Sequence, residues 1–246
     1  MREAGGVKRP WRLSLPLLLA ALLLSACGRS VPEPPSAKEA PPAVDTAPET
    51  EAPEVPSDLP EGAVPLTAEE IAQVNEAFES VYIEENLAYA NPICCFFTSD
   101  YHRPEEIGLS EFLRHFSPGE GISDEAEFQA LTKADGWPFG EITLEEMPVP
   151  VSKFLRADVD EALTEHAGIT TADLTGVNAG NTSLLYLEEY DAYYNFVSDF
   201  GPGWFQCESG WYTDAEARLT GSNRVLTLRK EDDRWLFASF LPLETE

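Results

Sequence analysis

Basic residues are what this chain has least of. Its 246 residues carry 16 Lys and Arg against 44 Asp and Glu, a formal net charge of −28. A surface of that sign repels phosphate backbones, which excludes nucleic acid as a partner. Histidine occurs three times, at His102, His115 and His166, and never in a His-Glu-x-x-His spacing. The G-x-S-x-G, G-x-G-x-x-G and P-loop patterns are missing, as are Cys-x-x-Cys pairs and a D-x-D-x-D-G calcium loop. Those gaps remove the standard hydrolase, dinucleotide, phosphate, zinc and EF-hand readings. The sequence therefore assigns no catalytic residue, no metal ligand and no cofactor. What is present is 43% apolar and 11% aromatic. That is enough to bury a core, and wholesale disorder is excluded.

The beginning of the chain reads as an address. Arg2, Lys8, Arg9 and Arg12 precede an apolar run from Leu13 to Ala26 that contains Pro16. A helix across the hydrocarbon needs about 20 apolar residues, so this run is too short for a permanent span. A basic region, a short apolar region and small residues make a secretory signal peptide, residues 1–26.

Leu24-Ser25-Ala26-Cys27 closes that segment. It resembles the lipobox of bacterial lipoproteins, and the resemblance implies cleavage before Cys27 and a diacylglycerol on its sulfur. Two acyl chains suffice for stable anchoring. Gly28 follows the cysteine, so the Asp that marks inner-membrane retention in some double-membraned bacteria is absent. The expected location is extracytoplasmic, with the membrane as partner through the lipid.

Removing residues 1–26 takes away four basic residues and one acid, which leaves 12 against 43 and a net charge of −31. Residues 28–65 then hold ten of the 20 prolines, eight acids, two bases and no aromatic. Proline removes donors, the acids repel, and nothing is available to bury. Residues 27–65 are expected to form a disordered tether, spanning roughly 35 Å as a coil and about 115 Å in an extended polyproline conformation.

Residues 66–246 read as one acidic α+β domain, with N-terminal helices on a C-terminal antiparallel sheet. Thr67-Ala68-Glu69-Glu70 is a capping box. Ile71, Val74, Phe78, Val81 and Tyr82 follow at helical spacing and predict one helix to that point. Pro104-Glu105-Glu106 reads as a helix start, Ser110 and Ser123 as caps of further turns, and Asp158 to His166 as a helix stopped by Gly168. Trp204–Tyr212, Ala215–Leu219, Val225–Leu228 and Trp235–Phe240 read as strands divided by turn formers. The closing hairpin resembles the last two strands of cone-shaped nuclear-transport-factor-like domains. The body is similar to uncharacterised secreted lipoproteins of anaerobic Gram-positive bacteria, from which no activity carries over.

Two groups of residues invite chemistry. Cys207 bonded to Cys94 or Cys95 makes a staple between helices and sheet; buried, unpaired thiols and a zinc site with His102 are the alternatives. Cys95 with His102 is also a conceivable nucleophile and base. The second group is aromatic: ten of 26 aromatic residues fall between Tyr186 and Tyr212. Tyr190, Trp204 and Trp211 are the candidate ligand-binding residues, because exposed rings beside carboxylates make a platform for sugars or peptides. The competing expectation is that these rings fill the core. The resulting reading is a surface-anchored lipoprotein with a non-catalytic binding or envelope-associated domain, whose ligand is a glycan, a peptide or an envelope protein. A cell-envelope hydrolase with an unrecognised site and a structural spacer are the alternatives.

Overall fold

In the computed structural model the described residues are 59–84, 87–116, 120–175, 184–196 and 203–244. The leader, Cys27 and most of the expected tether lie outside them. The fold is α+β, with helices on antiparallel sheets.

Its first strand, β1 (Val64–Pro65), pairs with β8 (Ser209–Tyr212). The last residues of the expected tether thus belong to the fold. Proline in a terminal strand is permitted because its missing N–H faces away from the ladder.

Helix α1 (Ala68–Ala77) starts at the predicted capping box: the Glu70 carboxylate accepts from the Thr67 amide at 2.6 Å, and the Thr67 hydroxyl accepts from the Glu70 amide at 3.3 Å. Val74 and Phe78 are buried as expected. Val81 and Tyr82 are not part of the helix. They open β2 (Val81–Glu84), which pairs with β3 (Leu87–Ala90). The β-branched and aromatic run Val81-Tyr82-Ile83 suits a pleated strand better than a helical turn. Asn91 then donates to the Ala77 and Glu79 carbonyls and caps the 3₁₀ segment Pro92–Phe97, tying it to the end of α1. Further on, α2 (Leu109–His115) is preceded by Gly108, with Ser110 inside the helix. Strand β4 (Glu120–Gly121) follows, and α3 (Glu125–Thr132) is capped by Asp124 in place of Ser123.

A four-stranded sheet in the middle of the chain went unforeseen. Its order is β4, β5 (Ser152–Leu155), β7 (Ala192–Asn195), β6 (Leu184–Leu187). Helix α4 (Arg156–Ala167) leaves β5 directly, ends at Gly168 in the left-handed region (φ 73°) and packs on β11 (Arg234–Pro242). A five-stranded sheet closes the molecule in the order β1, β8, β9 (Glu216–Gly221), β10 (Arg224–Glu231), β11. Ser222 and Asn223, both at positive φ, turn β9 into β10, the geometry a two-residue hairpin requires.

Two apolar cores result. The larger lies between the five-stranded sheet and the helices, with Phe96 stacked on Phe237 at 4.8 Å and Phe78, Phe97, Phe205 and Phe240 around them. The smaller lies on the other side of the four-stranded sheet, beneath α3 and the segment 133–150, and gathers Phe128, Trp137, Phe139 and Phe196. Adjacent strand residues face opposite ways, so Tyr193 enters the first core and Tyr194 the second.

Candidate ligand cleft

The aromatic concentration divides mostly inward. Tyr193, Tyr194, Phe196 and Phe205 are buried, and Phe200 lies outside the described residues. The three candidate rings do not converge. Tyr190 sits in the turn between β6 and β7, half-buried against the second core. Trp211 is half-buried in β8, opposite Arg218 on one side and Pro65 on the other. Trp204 is 62% exposed on the approach to β8.

The cysteine staple is absent: Cys94, Cys95 and Cys207 are free, buried thiols. Cys207 Sγ donates to the Ser209 carbonyl at 3.3 Å, while Cys94 Sγ faces the Phe78 carbonyl at 3.8 Å. The Ser209 contact holds the Cys207 sulfur along its own segment. Burial pushes the Cys94 and Cys207 thiols up to about 12 and raises the Cys95 thiol well above its ordinary value. A nucleophilic cysteine needs the thiolate, and burial suppresses it here. His102 is exposed, its backbone amide donating to Glu106 at 3.0 Å. Cys95 and His102 are therefore not an activated pair.

Around Tyr190 the structure assembles a polar group that no spacing announced. Glu127 on α3, 6% exposed, accepts from the Tyr194 hydroxyl and pairs with Lys153 Nζ at 2.6 Å. Lys153 and Tyr194 are neighbours across β5 and β7, which aims both at α3. The same ammonium lies 5.5 Å from the Tyr190 ring centroid. Burial raises the Tyr190 hydroxyl, with Glu189, Asp124 and Glu127 adding to the effect and Lys153 opposing it. Burial and the Glu127 hydrogen bond likewise raise Tyr194. Each charged atom has its partner inside the group, so the cluster pins α3 to the sheet.

A different arrangement occurs where β1 meets β8. A shallow cleft of about 300 Å³ is lined by Glu61, Gly62, Val64, Tyr212, Asp214 and their neighbours Thr213 and Ala215. Two tight turns build its walls. In the first, the Ala63 amide donates to the Pro60 carbonyl at 3.0 Å and Gly62 stands at φ 78°, which a β-carbon disfavours. In the second, the Thr213 hydroxyl accepts from the Ala215 and Glu216 amides at 3.2 and 3.0 Å. The floor is Tyr212, half-buried, packed on one side against the first core. Burial raises its hydroxyl, and Glu70 adds to the rise. Glu61 and Asp214 are exposed on the two turns, and among the described residues no basic one lines the cleft. Lys230, whose amide donates to the Ala215 carbonyl, places its ammonium 5.9 Å from the Trp235 ring centroid.

Tyr212 belongs to the aromatic concentration visible in the sequence, whereas Glu61 and Gly62 fall within the expected tether. The usable signal was Pro60-Glu61-Gly62-Ala63, a proline- and glycine-bearing turn ahead of an apolar pair. No protein-family model matches the chain, and neither a curated protein nor a solved structure does.

Proposed function

We propose that this protein is a non-catalytic binding module, held at the outer face of the cell membrane by an acyl anchor on Cys27 and a proline-rich tether. The observation that carries the binding role is the cleft at β1 and β8. There a tyrosine floor and two carboxylate-bearing turns form a concave, pre-shaped surface at the point where the tether joins the fold. A ring that stacks beside acids that accept hydrogen bonds is the recognition chemistry expected for peptides, glycans or an envelope protein. The anchor reading rests on Leu24-Ser25-Ala26-Cys27 after its basic and apolar regions.

Binding is tested by tryptophan fluorescence, with Trp211 beside Tyr212 as the reporter, against panels of glycans, peptides and envelope proteins. At least one member changes the signal in the full chain and fails to do so in Tyr212→Ala; silence across every panel removes the proposal. Anchoring is tested by feeding labelled fatty acid to cells making the protein or Cys27→Ser. The parent takes up label and fractionates with membranes. Equal behaviour of the two forms contradicts the anchor.

A further inference from the structure

We infer that residues 60–65, strand β1 with the turn before it, are a detachable strap: the β1–β8 cleft exists only while they lie on β8, and a pull through the tether dismantles it. This rests on the anchor and the binding role proposed above. The lining comes from two stretches of chain that the pairing of β1 with β8 brings together. Glu61, Gly62 and Val64 form one wall, while Tyr212, Thr213, Asp214 and Ala215 form the floor and the other. Without the first stretch, the second is an open ledge.

The strap is held lightly. Its ladder is two residues long, Val64 with Tyr212 and Pro65 with Trp211. Pro65 has no N–H to give that ladder. Val64 keeps 47% of its surface exposed, so its release uncovers little apolar area. The Ala63 amide bonds to the Pro60 carbonyl, which lies inside the strap itself. A segment with so short a ladder and so little buried apolar surface opens at a small fraction of the global free energy.

What flanks the strap is held firmly, and this fixes the hinge. Leu66 is buried in the first core with its amide on the Gly210 carbonyl at 2.9 Å, and a β-carbon on Gly210 would stand 2.9 Å from its side chain. Thr67 and Glu70 then close the capping box of α1. On the other side, β8 pairs with β9 from Ser209 to Tyr212, and the Thr213 hydroxyl keeps its bonds to the Ala215 and Glu216 amides. The strap can therefore leave without the sheet.

Position turns that weakness into a device. Residues 60–65 lie where the tether enters the fold, so a load from the membrane meets them before any other element. It peels the ladder from its Val64 end, one pair at a time. A ligand seated across both walls favours the docked strap, and by linkage a loaded tether lowers the affinity for that ligand.

The test is extension of the full-length chain in an optical trap, in a Cys27→Ser background. One handle is an N-terminal tag and the other is attached at Asp233→Cys in the exposed turn between β10 and β11. A reversible step of about 20 Å, the length of six extended residues, is expected well below the force of global unfolding. Moving the first handle to Glu69→Cys, beyond the hinge, should abolish that step. Global unfolding as the first event, or a step that survives the move to Glu69, overturns the strap. The step needs no ligand, so its absence leaves the binding role standing, while silent fluorescence panels remove the binding role and leave the strap.

Discussion

Two of the places where carboxylates meet tyrosines in this fold behave differently. Glu127 is buried with Tyr194 and satisfied by Lys153 and the tyrosine hydroxyl. Glu61 and Asp214 stand exposed on tight turns around Tyr212, with no basic side chain among the described residues of the lining. A buried charge without a partner is costly, so the first set is complete within the protein. An exposed acid carries little such cost, so the second set can remain incomplete until a ligand arrives. The same residue types serve stability in one place and recognition in the other, and burial together with the neighbouring cation decides which.

The sharpest break of this comparison is Glu127→Ala. It leaves Lys153 with 20% of its side chain exposed and no carboxylate partner, and should cost about 3 to 4 kcal/mol in urea unfolding. A loss below about 1 kcal/mol would place Glu127 with the surface acids.

His166 extends the comparison to the first core, where an ionisable ring packs 5.7 Å from Phe96 and 6.4 Å from Phe237. Burial lowers its pKa from 6.5 to about 4. As pH falls, the unfolded chain takes up the proton first. Stability is therefore complete above about pH 6.5, declines down to about pH 4 and levels below it, a total of about 3 kcal/mol. The stability difference between the parent and His166→Leu should change by that amount across the window. A constant difference contradicts the assignment.

Tyr194→Phe removes one hydrogen bond to a buried carboxylate and should cost about 2 kcal/mol by the same unfolding assay. At the open site, Glu61→Gln with Asp214→Asn should alter stability by less than about 0.5 kcal/mol. A loss comparable to Tyr194→Phe would show that the cleft acids hold the fold. The smallest effect concerns the thiols: Cys94, Cys95 and Cys207 should resist iodoacetamide in the native protein and react fully in denaturant. Prompt labelling of the native protein contradicts their burial.

Much of the architecture was legible where a local pattern records it. Thr67 to Glu70 announced α1, Gly168 the end of α4, and the turn at Ser222-Asn223 the closing strands. The four-stranded sheet was not, because its strands are only two to four residues long and Leu184-Leu185-Tyr186-Leu187 serves a middle layer with no polar alternation to read. Val81 and Tyr82 continue the helical spacing of α1, yet a hairpin claims them. The candidate rings illustrate a related limit: composition located the aromatic segment, but strand alternation sent Tyr193 and Tyr194 into the two cores, while Trp204 lies exposed in the irregular stretch before β8. The cleft depends on pairing Val64 with Tyr212, a contact between distant parts of the chain that neither part reveals alone.

The most direct measurement is hydrogen exchange on the full-length chain with and without the panel member that changes its tryptophan fluorescence, resolved by peptide. Exchange should slow in residues 60–66 and 209–217, at the cleft, and stay unchanged across 120–155, where Glu127 and Lys153 already satisfy one another. Protection centred on 120–155, or none at 60–66 and 209–217, would contradict the cleft's role in binding.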